Sequence, residues 1–136
     1  MNHPMSGRGQ SLERFPAHLG SGAKVLPQPE FTGMEWYEAY AARTAGDGAE
    51  GRLVSLYSFT EDWTSWEMHP AGDEMVVCTA GSLTLLQEMP GGRIEAVRLD
   101  AGDYAINPAG TWHTADTRGA TALFITSGLG TRHRPR

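Results

Sequence analysis

At 136 residues, with 40% hydrophobic and 20% charged side chains, the chain is sized for one domain with a real hydrophobic core. Its formal charge is −5, and with Arg132, Arg134 and Arg136 crowded together the remaining body is more acidic still, which argues against a nucleic-acid surface. No apolar run is long enough to cross a bilayer, MNHPMSGRGQ lacks the apolar stretch of a secretory signal, and a single cysteine, Cys78, excludes an internal disulfide, so a cytoplasmic protein is expected.

Residues 1–30 are rich in Gly, Pro and Ser and show no sustained periodicity, which predicts an irregular N-terminal arm. In FTGMEWYEAYAAR, Thr32 and Glu35 have capping-box spacing, and Phe31 with Trp36 fits a hydrophobic staple. One short helix over about 33–43 is predicted, stopped by Gly46 or Gly48. From Arg52 the apolar period falls to about two. RLVSLYSF, EMVVCTA, SLTLLQEM, RIEAVRL, DYAINP and ATALFITS read as short strands, parted by turns at Ala80–Ser82, Pro90–Arg93 and Ala101–Asp103. Many short strands after a single helix predict an all-β sandwich or barrel with the helix packed outside. The predicted organisation is an arm over 1–30, one domain over 31–130, and a basic tail over 131–136.

Two stretches, WEMHPAGDE at 66–74 and NPAGTWH at 107–113, place carboxylates and histidines beside Pro/Gly turns. Residues two apart on a strand share a face, so Glu67 and His69 project together, and Glu74 opens the next run in line with Val76 and Cys78. Cys78 is then a small residue on a cavity floor. His113 leaves the second turn onto a strand, sharing its face with Ala115 and Thr117. Imidazoles and carboxylates are the usual ligands of a first-row divalent metal. The spacings leave two readings open: one shared metal, or two unrelated turns.

The stretches resemble the paired motifs of the cupin superfamily, G-x5-H-x-H-x(3,4)-E-x6-G and G-x5-P-x-G-x2-H-x3-N. The first is matched by His69, Glu74 and Gly81, with four and six intervening residues; the second by Gly102, Pro108, Gly110 and His113 with every spacing intact. Glu67 replaces the first motif's leading histidine, Thr117 replaces the second motif's asparagine, and no glycine stands near Thr60 and Glu61 where the first motif begins. The resemblance covers about residues 52–127. It implies a jelly-roll β-barrel, a metal inside the barrel mouth, and a homodimer.

On that footing Glu67, His69, Glu74 and His113 form a two-histidine, two-carboxylate ligand set for Fe, Mn, Ni or Zn, with oxygen ligands favouring Fe(II) or Mn(II). Alternatively, His69, Glu74 and His113 hold the ion alone and Glu67 is a catalytic base. Tyr57, Cys78, Trp112 and Thr117 are candidates for a substrate pocket, and Trp63, Trp66 and Trp112 could fence its mouth. Asp73 is read as a turn residue, and His3, His18 and His133 as parts of loose ends. Two functions are compatible: a metal-dependent oxygenase or isomerase acting on a small organic molecule, and a non-catalytic protein that binds a small ligand with or without a structural metal.

Overall fold

The computed structural model describes residues 8–136, so His3 lies outside the described residues. In chain order the elements are β1 (Ala17–Gly20), β2 (Lys24–Pro27), α1 (Met34–Arg43), a 3-10 segment (Ala45–Glu50), β3 (Arg52–Phe59), β4 (Ser65–Met68), β5 (Glu74–Glu88), β6 (Ile94–Asp100), β7 (Tyr104–Asn107), β8 (His113–Thr126) and β9 (Arg132–Pro135). All strand pairings are antiparallel.

The long strands β5 and β8 run side by side and bend together, which divides the barrel into two layers. One half, Met75–Ser82 against Gly119–Ile125, continues outward through β7 on one flank and β3, β1 and β2 on the other. The other half, Thr84–Gln87 against His113–Asp116, continues through β6 on one flank and β4 and β9 on the other. Register shifts at Cys78/Ala80 and Ser82/Thr84 form the corner, as strands that switch sheets use bulges to bend. The corner also reverses the inward parity: Glu74, Val76 and Cys78 are buried before it, and Leu83, Leu85 and Gln87 after it. The predicted turn at Ala80–Ser82 is therefore a bend inside one strand rather than a reversal. Gly81 makes it possible, since its φ is +68° and a Cβ there would meet the Gly119 carbonyl oxygen at 2.1 Å.

Val76, Leu83, Leu85, Leu99, Ala122 and Phe124 fill the space between the layers. Polar residues hold the end positions of these inward rows, Glu74 and Gln87 on β5 and His113 on β8. The alternation that builds the core thus also aims the site.

Other expectations are corrected. The helix forms, but Gly33 is its N-cap and no side chain caps it, so the Thr32–Glu35 capping box is absent. The Phe31–Trp36 contact is present, with ring centroids 5.6 Å apart, and the helix ends at Arg43 without waiting for Gly46. The arm is not irregular throughout: β1 and β2 form a hairpin, and β1 pairs with β3. His18, on β1, is buried between the Tyr40 hydroxyl at 2.6 Å and the Asp47 carboxylate at 2.7 Å, fixing the hairpin to the helical segment. The basic tail is not loose either, because Arg132–Pro135 pairs along the whole of β4. Among the described residues no helix is long and apolar enough to cross a membrane.

Candidate metal centre

The two motif turns are joined directly. Asp73 in the first accepts a hydrogen bond from the Ala109 amide at 2.8 Å, and the Gly110 amide donates to the His69 carbonyl at 3.0 Å. Asp73 is a turn residue whose carboxylate clips one turn to the other. Strand register then aligns Gln87, His113, Glu67 and His133 as cross-strand neighbours on β5, β8, β4 and β9. Glu74 enters from the start of β5 and His69 from the end of β4.

Glu67, His69, Glu74 and His113 converge so that one ligand atom from each lies within 4.8 Å of the others. His69 Nε2 is 3.0 Å from Glu67 Oε1 and 3.2 Å from Glu74 Oε2; His113 Nε2 is 3.2 Å from Glu74 Oε1 and 3.6 Å from Glu67 Oε1. These separations match neighbouring ligands on one ion, because bonds of about 2.1 Å at right angles put donor atoms about 3.0 Å apart. Both Nε2 atoms are buried, yet neither makes a directed hydrogen bond. An unpaired buried polar atom costs about 1–3 kcal/mol. A cation accepting both lone pairs removes that cost, so the residues fit a divalent metal.

The surrounding hydrogen bonds set the histidine protons for that role. Thr131 Oγ1 donates to the Gly128 carbonyl at 2.9 Å, so it accepts from His69 Nδ1–H at 2.7 Å. His113 Nδ1–H donates to the Thr111 carbonyl at 3.3 Å. Each neutral imidazole therefore carries its proton on Nδ1 and turns the Nε2 lone pair to the centre. Glu74 accepts from Asn107 Nδ2 at 3.1 Å and Thr126 Oγ1 at 2.6 Å, while Gln87 Nε2 donates to Asn107 Oδ1 at 2.8 Å. His133 Nε2 lies 3.0 Å from Glu67 Oε2, on the opposite side of that carboxylate from His69.

Without an ion, charge within the cluster balances by protonation. Burial disfavours charge on both histidines, but the Glu67 and Glu74 carboxylates outweigh it and push each up to about 9. Burial likewise opposes ionised carboxylates, and the two histidines overcome it, lowering Glu74 to about 2 and Glu67 well below the usual range.

The centre opens onto a cavity of about 960 Å³ that Glu67, His69 and Glu74 help to line. Tyr57 lines it, with its hydroxyl bonded to that of Tyr37. The structure places the other three pocket candidates elsewhere. Cys78 is buried in the core with its thiol directed at the Ala80 carbonyl. Thr117 bonds the Ser82 carbonyl and the Gly119 amide, holding the corner. Trp112 lies under Arg134 and Arg132, with their guanidinium carbons 4.5 and 6.0 Å from its ring centre. Trp66 also carries Arg134 at 5.4 Å; Trp63 alone of the three tryptophans lines the cavity.

Asn107, Gln87, Thr126, Thr131 and His133 were missed by sequence reasoning. Gln87 and Thr126 carried a signal, each being polar at the end of an inward apolar row: Leu83, Leu85, Gln87 and Ala122, Phe124, Thr126. His133 carried none, since nothing in RHRP shows that it pairs with WEM.

No protein-family model matches the chain, and no curated protein matches it. Among solved structures it is similar to an oxalate oxidase studied for its mechanism and to oxalate oxidase in complex with the substrate analogue glycolate. Both are 17% identical with a TM-score of 0.54, and the matches cover 67% and 68% of this chain but 50% of those chains. A cupin-2 domain protein from Shewanella frigidimarina is 20% identical with a TM-score of 0.47, over 62% of this chain and 71% of that one. This chain spans half the length of the oxalate oxidase chains.

Proposed function

This chain has the cupin fold, and we propose that it is an enzyme holding one divalent metal ion through Glu67, His69, Glu74 and His113 and acting on a small organic molecule, by oxygenase or isomerase chemistry. The observation that carries the reading is the pair of buried His69 and His113 Nε2 atoms without hydrogen-bond partners, set among two carboxylates at the wall of a cavity. A bound ion of this kind supplies Lewis acidity toward an oxygen-bearing substrate and, if it is iron, access to dioxygen chemistry.

The chain's own residues provide the rest. Thr131 and the Thr111 carbonyl hold both histidine protons on Nδ1. Asn107 and Thr126 hold both oxygens of Glu74, and His133 holds the outer oxygen of Glu67. His133 also faces the cavity and lies against Glu67, so an imidazole able to give or take a proton stands beside the centre. That favours an enzyme over a protein that only binds a ligand. Direct ligation by Glu67 is supported by its Oε1, which approaches both imidazoles as the Glu74 oxygens do. Glu67 as a base beside a three-residue site is the second reading, favoured by its larger exposure, 27% against 3% for Glu74. A homodimer is kept in the proposal, supported by Val25 and Leu26 exposed on the edge strand β2, and light scattering tests it. A cytoplasmic setting is supported by the single free, buried Cys78.

The test is elemental analysis of protein purified without added metal, then an aerobic screen of small organic substrates for oxygen uptake or isomerisation. About one transition-metal ion per chain and a turnover abolished by chelator are expected. A protein that takes up no divalent metal even when supplied with it would sink the proposal.

A further inference from the structure

The lining of the cavity bears on what enters it. Tyr57, Phe59, Phe124 and Trp63 make one continuous aromatic wall: Tyr57–Phe124, Phe59–Phe124 and Phe59–Trp63 centroids are 5.9, 6.2 and 5.5 Å apart. Trp63 extends the wall to the centre, its ring edge-on to His113 with centroids 6.3 Å apart. The Tyr37 and Tyr57 hydroxyls bond to each other, and burial keeps both phenols protonated. The Trp63 indole N–H is buried without a partner.

Charge is as informative as shape. No lysine or arginine lines the cavity among the described residues. Arg132 and Arg134 are laid over Trp112, and Arg136 is held by Asp116 at 2.6 Å. Of the acidic liners, Asp62 accepts the Thr117 amide at 2.9 Å, Glu67 and Glu74 belong to the centre, and Glu61 is exposed, a negative charge that further disfavours anions. Two carboxylates cancel the charge of a divalent ion, which leaves the loaded centre without a net attraction for anions. A carboxylate entering this cavity would lose its water and find no lysine or arginine to pair with.

We infer that the cavity takes an uncharged aromatic molecule bearing a hydroxyl group, in preference to the small carboxylates. The inference rests on the metal-centre reading, which locates the reacting end of the cavity. Offset and edge-on contact with the wall holds the ring, and the tyrosine hydroxyls meet its oxygen.

Calorimetric titration of metal-loaded and metal-free protein with 1,2-dihydroxybenzene, benzoate, benzylammonium and oxalate tests this. The uncharged diol is expected to bind the loaded protein at least about tenfold more tightly than the three charged probes. Phe59→Leu is expected to weaken the diol by about fivefold while the metal content per chain stays unchanged. Tyr57→Phe serves as a second variant that keeps the ring and removes one hydroxyl, and it is expected to weaken the diol while leaving benzoate unaffected. Binding of oxalate, benzoate or benzylammonium as tight as that of the diol would overturn the inference, as would no saturation by the diol. Metal analysis separates the two failures. If the protein holds no metal, the enzyme proposal fails and the ranking of the probes on metal-free protein decides the inference. If it holds metal and ranks oxalate first, the inference alone fails.

Discussion

At the scale of single residues, the centre stands on four donors that differ in what they can lose. His113 is wholly buried, with Nδ1 committed to the Thr111 carbonyl, so His113→Ala removes a donor that water cannot replace in the same geometry. A loss of metal affinity beyond the ~10–100-fold typical of groups behind the ligands is expected, measured by chelator competition. Glu67 is the informative position. Glu67→Gln should weaken metal binding and Glu67→His should restore it if the residue is a ligand; full retention in the Gln variant combined with lost turnover assigns it instead as a base. Affinity should also depend on pH with a definite sign. The metal-free histidines hold protons up to about 9, so an ion must displace them, and affinity rises with pH until that point. Proton release on metal binding at pH 7, followed in weakly buffered solution, checks it. Glu67, His69, Glu74 and His113 could be grouped from the motif spacings together with the resemblance they carry, because local strand parity sets the face each one takes. Trp112 and Cys78 were misplaced because their surroundings depend on residues far along the chain, the arginines of β9 and the bend at Gly81.

At the scale of elements, the site hangs on β9 as much as on the strands that carry its donors. Thr131, just before β9, fixes the His69 proton, and His133 within it braces Glu67. Thr131→Val keeps the shape but removes the acceptor for Nδ1–H, and His133→Ala frees the outer oxygen of Glu67. Each is expected to weaken metal binding by about 10–100-fold while the circular dichroism spectrum stays that of the parent. Unchanged affinity in both would reduce β9 to packing. A different element sets the bend. Gly81→Ala would place a methyl against the Gly119 carbonyl at 2.1 Å and strain a φ of +68°. A loss of several kcal/mol of stability by denaturant titration is expected. The strands β3 and β5 to β8 were legible because period-two burial is written in their own sequences. The hairpin of β1 and β2 was not, since KVLP is exposed throughout and AHLG owes its place to pairing with β3. Nor was β9, whose charged RHRP is held by Glu88, Glu67 and two tryptophan faces.

At the scale of the molecule, the centre joins both layers of the barrel, so its state is felt in global stability. A metal at a hundredfold excess over its Kd adds about 2.7 kcal/mol, and chelation is expected to lower Tm correspondingly by calorimetry. The metal-free protein has its own optimum. His69 and His113, raised to about 9 from 6.5, contribute fully below pH 6.5 and lose that contribution as pH rises through 9. Glu74, lowered to about 2 from 4.5, contributes above pH 4.5 and loses it as pH falls toward 2, with Glu67 moving in the same direction. The highest metal-free Tm is therefore expected between pH 4.5 and 6.5. The lie of the chain adds a consequence in time. All four donors have been synthesised once residue 113 is joined, but the partner that orients His69 stands 62 positions after it, and the one that braces Glu67 stands 66 after. A nascent chain leaving the ribosome therefore passes through a stage in which the donors exist and their orientation does not, and it gains its final grip on a metal only as β9 closes against β4.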